Sequence, residues 1–146
     1  MRRAIVTMIL RLRAVILAAC VVTWVAALVA THIPAPEVKV HVSDKVLHMT
    51  GFFVLGVLFW LTLAAYGVRG LRRIVLVICI MMVYAAVDET TQAWVNRDPD
   101  LHDWMADVLG AAIAVAVLEI LRLVTRRATQ PPEVPTPEDH YPQYPY

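Results

Sequence analysis

The chain has 146 residues, of which 60% are hydrophobic and only 17% are charged. An ordinary soluble domain is less apolar and about one-quarter charged, so this composition argues against a soluble globular protein and favours a membrane protein. The length permits one domain at most. The formal net charge of +1 identifies no partner, whereas the distribution of the charges along the chain is informative.

Four apolar segments follow one another, at about 14–33, 46–67, 74–94 and 104–124. A membrane-spanning helix needs roughly 20 mostly apolar residues, so each segment is a candidate span with the lipid bilayer as its surroundings. The third segment is uncharged only from Ile74 to Val87, and it spans only if its helix continues through Asp88, Glu89 and Gln92. We therefore predict an all-α, integral membrane four-helix antiparallel bundle.

Lysine and arginine are distributed unevenly among the connections between these segments. Ten of the thirteen lie before the first span, between the second and third, or after the fourth: Arg2, Arg3, Arg11, Arg13, Arg69, Arg72, Arg73, Arg122, Arg126 and Arg127. The other connections hold Lys39, Lys45 and Arg97. Because cytoplasmic loops are enriched in Lys and Arg, we predict a multi-pass protein of the cell (inner) membrane with both termini in the cytoplasm. The basic clusters flank spans, so we expect no nucleic-acid partner.

The two ends of the chain have their own interpretations. A cleaved signal peptide is the alternative for the first span, although its apolar stretch exceeds the roughly 7–15 residues typical of such a peptide. Six of the nine prolines follow residue 125. We therefore predict a membrane domain over residues 1–125 and a disordered, Pro-rich cytoplasmic tail over 126–146, with or without a partner protein.

Polar residues recur where three of the predicted helices reach the outer side. They are Asp44, Lys45 and His48 in the second span, Asp88, Glu89 and Gln92 in the third, Asp103 and Asp107 in the fourth, and Arg97 in the loop between the last two. Several are four residues apart and so share a helix face, as Asp44 shares one with His48. These nine residues predict an outward-facing polar pocket. Helix capping and ion pairing are the alternative roles, above all for Asp44 and Asp103.

A row of small residues in the fourth span continues the line of its two aspartates. Ala106, Gly110 and Ala114 are spaced by four, which is typical of surfaces where membrane helices pack closely. We therefore expect Asp103 and Asp107 to face the bundle rather than lipid.

Two motifs resemble a known family. The first is Ser43-Asp-Lys-Val-Leu-His48 followed by Phe52 and Leu55-Gly56, and the second is Asp88-Glu-Thr-Thr-Gln92 followed by Arg97, Asp103, Asp107 and Gly110. Together they are similar to the motifs of VanZ-like membrane proteins, although that pattern favours Asn at Asp107 and Pro-Gly at Val95-Asn96. The resemblance implies a small multi-pass bacterial protein of the cell envelope. Its namesake is associated with low-level resistance to the glycopeptide teicoplanin, and the resemblance implies no reaction.

The pocket suggests a binding function first. In this hypothesis the protein binds a cell-wall or lipid-linked ligand on the outer face, and Lys45, His48 and Arg97 hold the ligand's anion. A structural or assembly subunit, in which the polar cluster only fixes the order of the helices, is a further possibility.

An enzyme is the alternative. Asp44 and His48 could form an orienting carboxylate and a general base, or Asp88, Glu89 and Asp107 could hold a divalent cation for a step on a lipid-linked phosphate. The chain has no nucleophile motif and no diagnostic metal spacing, so we expect no cofactor and no resident metal. The sequence alone therefore leaves catalysis undecided.

Overall fold

The computed structural model describes residues 2–32, 43–95 and 98–129. It contains α1 (Arg2–His32), α2 (Asp44–Ala65), α3 (Gly70–Gln92) and α4 (Leu101–Thr129), with a short 3-10 helix (Ala93–Val95) after α3. No strand occurs within these three ranges, which confirms the predicted all-α class. All four α-helices are long and apolar enough to cross a membrane.

Each helix contains most of one predicted span. α3 runs unbroken from its apolar run through Asp88, Glu89 and Gln92, as a membrane-spanning third segment requires. α4 continues to Thr129, four residues past the boundary predicted at residue 125, because the first prolines that would break it come only at 131 and 132. The rest of the predicted tail, 130–146, lies outside the described residues.

Consecutive helices run antiparallel, but the most extensive interface joins two helices that run parallel, α2 and α4. The residues that meet across it keep the same separation in sequence at both ends of the interface. His48 contacts Asp107 and Trp60 contacts Glu119, each pair 59 residues apart. A constant separation over twelve residues of helix means that both helices point the same way.

Two glycines allow α2 and α4 to approach this closely. A Cβ atom on Gly110 would overlap the carbonyl oxygen of Met49 in α2. A Cβ atom on Gly56 would lie 3.1 Å from the Cβ of Ala114, tighter than ordinary van der Waals contact. The small-residue row of α4 therefore packs against another helix, as predicted, and that helix is α2.

An apolar core fills the middle of the bundle and comes from α2, α3 and α4: Phe52, Leu55, Trp60, Val77, Met81, Ala85, Ala111 and Val115. α1 is peripheral to it. Trp24 of α1 stacks on Tyr84 at a centroid distance of 4.5 Å and packs against Phe59 at 5.9 Å. Most other large apolar side chains of α1 are exposed, as in a helix that contacts lipid. The core thus separates two polar layers, one at each end of the bundle.

Candidate functional site

One end of the bundle collects almost all the polar residues that the sequence singled out. The last turns of α1 and α3 and the first turns of α2 and α4 meet there, and we refer to this region as the acid-rich end. It holds Thr31, His32, Asp44, Lys45, His48, Asp88, Glu89, Gln92, Asp103 and Asp107. The bundle brings them together because helix direction alternates along the chain, so the ends that carry them lie at one depth.

His48, Glu89 and Asp107 form the centre of this end, and we call them the central triad. The three side chains come from three different helices and are 7%, 6% and 0% exposed. His48 Nδ1 lies 3.1 Å from Asp107 Oδ1 and 3.9 Å from Glu89 Oε1. The other oxygen of Glu89, Oε2, accepts a hydrogen bond from the Asp100 amide at 3.0 Å.

Two oxygens of the central triad are buried without a hydrogen-bond partner. Glu89 Oε1 and Asp107 Oδ2 have no hydrogen-bond partner among residues 2–32, 43–95 and 98–129. A buried polar group left unpaired costs about 1–3 kcal/mol. Trp24 Nε1, Arg73 Nε and Tyr84 Oη also lack partners among the described residues. The two oxygens of the central triad differ from them in belonging to neighbouring carboxylates, which makes the triad a candidate site for a bound cation or hydrogen-bond donor.

Asp88 adjoins Glu89 in sequence but points elsewhere. It accepts hydrogen bonds from Thr31 Oγ1 at 2.8 Å and from Gln92 Nε2 at 3.1 Å. His32 of α1 reaches the same helix, with its Nε2 atom 2.9 Å from Thr91 Oγ1. Asp88 therefore links α1 to α3, whereas Glu89 faces α2 and α4, because neighbouring residues on a helix point about 100° apart.

Lys45 connects the first turn of α2 with the start of α4. Its Nζ atom lies 3.0 Å from Asp100 Oδ2 and 3.0 Å from Asp103 Oδ1. Asp100 precedes α4, and its carboxylate also accepts from the backbone and ring of His102. The hydrogen bond from the His102 amide, followed by those from Lys45 and the His102 ring, holds the pKa of Asp100 well below its usual range. Asp100 is thus the helix cap that the sequence interpretation assigned to Asp103.

Three predicted pocket residues remain, namely Asp44, Gln92 and Arg97, and none of them belongs to the central triad. Asp44 is exposed, yet it, His48 and Asp103 each offer one ligand atom, and those atoms lie within 4.8 Å of one another. Gln92 is buried against Asp88. Arg97 lies outside the described residues, so its position relative to the acids stays a prediction.

Two grooves border the central triad, each lined by one of its members. One, of 370 Å³, runs between α3 and α4 and is lined by Glu89, Thr90 and Trp104 among others. The other, of 280 Å³, lies between α1 and α2 and ends at His48 and Thr31. Both walls are mainly apolar, which suits a ligand with a hydrocarbon part. The triad is therefore buried but adjacent to open space at Glu89 and at His48.

The opposite end of the bundle carries a second polar cluster, which we call the arginine-rich end. Glu119 accepts from Arg73 at 2.8 Å, from Trp60 Nε1 at 3.1 Å and from Arg122 at 2.6 Å. The Arg73 guanidinium also lies over the Trp60 ring, 3.7 Å from its centroid. Arg122 lies three residues after Glu119 on the same helix face, and both oxygens of Glu119 are satisfied.

Several of these residues were missed by the sequence analysis. Thr31 and His32 stand at the end of the first apolar segment, and their polarity beside a span end was the available signal. Arg73 was interpreted as part of a cytoplasmic basic cluster. It heads the buried stripe of α3, four residues before Val77 and eight before Met81, so helical spacing could have placed it inside the bundle.

The charge balance of the acid-rich end favours cations. Six carboxylates within the described part of the chain belong to the helix turns and the α4 cap of this end, namely Asp44, Asp88, Glu89, Asp100, Asp103 and Asp107, and Asp98 is exposed in the adjoining loop. Lys45 is the one lysine among the described residues there. Lys45 is already paired with two of these acids. Like charges brought this close repel one another strongly at low dielectric, and a bound cation or donor would relieve that repulsion.

Comparisons with known proteins give one result. Curated proteins and solved structures each provide no significant match. The family model described as VanZ/LLP1 matches residues 6–122, a range that includes all of α2 and α3, most of α1 and α4, both sequence motifs and the whole central triad. That range is well over half of the chain and agrees with the resemblance of the two motifs, so this chain is a membrane protein of the VanZ/LLP1 family.

Proposed function

We propose that this protein acts in the bacterial cell envelope by binding a ligand in the pocket at its acid-rich end. In this proposal the acid-rich end faces outward and both termini are cytoplasmic. The arginine-rich end, with Arg122, Arg126 and Arg127 near the end of α4, then lies on the cytoplasmic side, in agreement with the preference of basic residues for that side. A tail from about residue 126 or beyond would extend into the cytoplasm.

One observation carries the proposal: Glu89 Oε1 and Asp107 Oδ2 are buried without partners where the helix ends meet. Ionisable groups within membrane helices are expensive, and they usually mark a pathway, a cavity or a binding partner. The two adjacent grooves supply access for such a partner. The family resemblance adds an envelope context and a link to susceptibility to teicoplanin-type glycopeptides.

The geometry modifies the ligand chemistry expected from the sequence. The sequence-based hypothesis was that the anion of the ligand is held by Lys45, His48 and Arg97. Lys45 is engaged by Asp100 and Asp103, and His48 by Asp107. The group of the ligand that enters the central triad is therefore expected to be a cation or a hydrogen-bond donor. An anionic part of the same ligand would depend on Arg97 or on a cation bound in between.

A membrane-embedded enzyme acting on a lipid-linked phosphate or another envelope substrate is the alternative. The observation in its favour is the distance of 3.1 Å between His48 Nδ1 and Asp107 Oδ1, since a carboxylate at that position orients an imidazole for general base catalysis. The sequence had suggested Asp44 for this role. Release of phosphate from a lipid-linked diphosphate by the purified chain, and its loss in His48→Asn, would favour this alternative over binding alone.

The deciding experiment uses Glu89→Gln and Arg97→Ala in the native host. We expect both variants to reach wild-type levels in the membrane and to change susceptibility to glycopeptides or other envelope-targeting compounds. Asp98→Asn is the matched control, because Asp98 is an exposed loop carboxylate outside the pocket. Normal protein level with unchanged susceptibility in both pocket variants would contradict the proposal, and loss of the protein itself would assign the carboxylates to stability.

A further inference from the structure

We propose that the central triad of His48, Glu89 and Asp107 binds one divalent metal ion, of the kind that accepts both imidazole nitrogen and carboxylate oxygen, such as Mn²⁺ or Zn²⁺. The inference rests on the proposed function, because it identifies what the pocket at the acid-rich end binds first. It departs from the expectation, drawn from sequence spacing alone, that the chain holds no metal.

The distances within the triad fit such an ion. One ligand atom from each of His48, Glu89 and Asp107 lies within 4.8 Å of the other two. Around Zn²⁺, ligand atoms lie about 2.0–2.2 Å from the metal in a tetrahedral arrangement, which places them about 3.3 Å from one another. The separations of 3.1 and 3.9 Å from His48 Nδ1 bracket this value.

Two carboxylate oxygens of the triad lack hydrogen-bond partners in the described part of the chain, which favours a bound cation over an internal salt bridge. Asp107 is fully buried, and its Oδ2 atom has no hydrogen-bond partner among the described residues; Glu89 Oε1 is in the same condition. His48 alone cannot satisfy both, since its Nδ1 atom already faces Asp107 Oδ1. A divalent ion supplies two positive charges at one point and would balance both carboxylates at once.

The neighbouring acids are excluded as ligands by their own contacts. Asp88, which the sequence grouped with Glu89 and Asp107 for a possible cation, has one oxygen bonded to Thr31 and the other to Gln92. Asp103 is engaged by Lys45. Asp44 and Asp103 can approach His48, but Asp44 is exposed to water, which competes for an ion there. The buried set of His48, Glu89 and Asp107 is therefore preferred.

A metal in this place would explain how an acid-rich pocket can serve an anionic ligand. Three protein ligands leave at least one coordination position for water or for an oxygen of the ligand, as in open metal sites. One groove is lined in part by Glu89 and the other by His48, so two of the three ligands border open space. A phosphate or carboxylate could then reach the acid-rich end without meeting unbalanced negative charge.

The test measures Mn²⁺ binding to the full chain, purified in detergent and stripped with a chelator, by electron paramagnetic resonance. We expect one Mn²⁺ per chain, with spin-echo modulation from a directly coordinated nitrogen, and competition by Zn²⁺. Glu89→Gln and Asp107→Asn should each weaken binding by roughly 100-fold, the upper range for residues that only support a metal ligand. Asp98→Asn should bind Mn²⁺ as the wild type does. Asp103→Asn tests the other possible ligand set, which is Asp44, His48 and Asp103.

Each outcome decides the matter. Wild-type protein that binds no Mn²⁺ or Zn²⁺, binds it without a nitrogen ligand, or loses it in Asp103→Asn but not in Glu89→Gln would overturn the assignment. The measurements on wild-type protein hold even if a variant fails to fold. If Glu89→Gln changes the host phenotype but the wild-type protein binds no metal, the metal site is wrong and the proposed function is retained. If the wild-type protein binds the metal but neither pocket variant changes the host phenotype, the metal site is retained and the proposed function is wrong.

Discussion

The two polar ends of the bundle are built from similar residue types but differ in balance. At the arginine-rich end, Glu119 has a donor for each oxygen from Arg73, Trp60 and Arg122. At the acid-rich end, Glu89 and Asp107 share one imidazole and keep two oxygens without partners. One cluster has the donors it needs, and the other lacks them.

This difference separates a structural cluster from a functional one. At the arginine-rich end the Nε atom of Arg73 is buried without an acceptor among the described residues, but each carboxylate oxygen has its donor. A buried carboxylate satisfied in this way holds helices in register and needs no ligand. A cluster left unsatisfied lowers stability, and proteins keep such a feature where activity depends on it. The comparison therefore predicts opposite responses to mutation at the two ends, and the predictions below are ordered by their expected effect on the free energy of unfolding.

The largest effect is expected at the arginine-rich end. Glu119→Ala leaves Arg73, which is 4% exposed, without its carboxylate and should lower the free energy of unfolding by about 3–5 kcal/mol. The measurement is unfolding of the purified protein in a titration with sodium dodecyl sulfate, followed by circular dichroism. Arg73→Met with Glu119→Leu should recover most of the loss, because it removes both buried charges together. Equal stability of Glu119→Ala and wild type would break the comparison.

A smaller effect is expected between the two ends, where α2 and α4 touch. Gly110→Ala places a Cβ against the Met49 carbonyl oxygen, so the helices must separate, at a cost of about 1–3 kcal/mol. Gly51→Ala is the matched control in α2, since a Cβ there meets nothing within 4 Å. The same titration should show a loss for Gly110→Ala and none for Gly51→Ala. Because this interface aligns His48 with Asp107, we also expect weaker Mn²⁺ binding in Gly110→Ala.

The sequence predicted the number of helices and the end at which their polar residues meet. Span length and four-residue spacing are local properties, and they were sufficient to bring His48, Glu89 and Asp107 to one depth. They were not sufficient to show that α2 packs most extensively against α4, or that Asp88 turns towards Thr31 in α1. Both features depend on packing between segments that are far apart in the chain, such as the contact of Gly110 with the Met49 carbonyl group. The periodicity of a single helix contains no information about such contacts.

A third prediction tests whether all of the acid-rich end behaves alike. Thr31→Val removes the donor to Asp88 Oδ1 at the contact between α1 and α3. Hydrogen bonds between membrane helices are worth about 0.6 kcal/mol on average, so we expect a loss of that order in the same titration. Mn²⁺ binding should be unchanged, because Asp88 does not belong to the central triad. Loss of Mn²⁺ binding with full stability would move the metal site towards Asp88.

The smallest effect on stability is expected where the effect on function is greatest. Glu89→Gln keeps the size of the side chain, keeps an acceptor for the Asp100 amide and removes a negative charge facing Asp107. In metal-free protein the free energy of unfolding should therefore stay the same or rise. Added Mn²⁺ should stabilise the wild type but not the variant, because a ligand stabilises only the state that binds it. A destabilised Glu89→Gln protein without metal would show that the acid-rich end stabilises the bundle as the arginine-rich end does, and the distinction between the two would be lost.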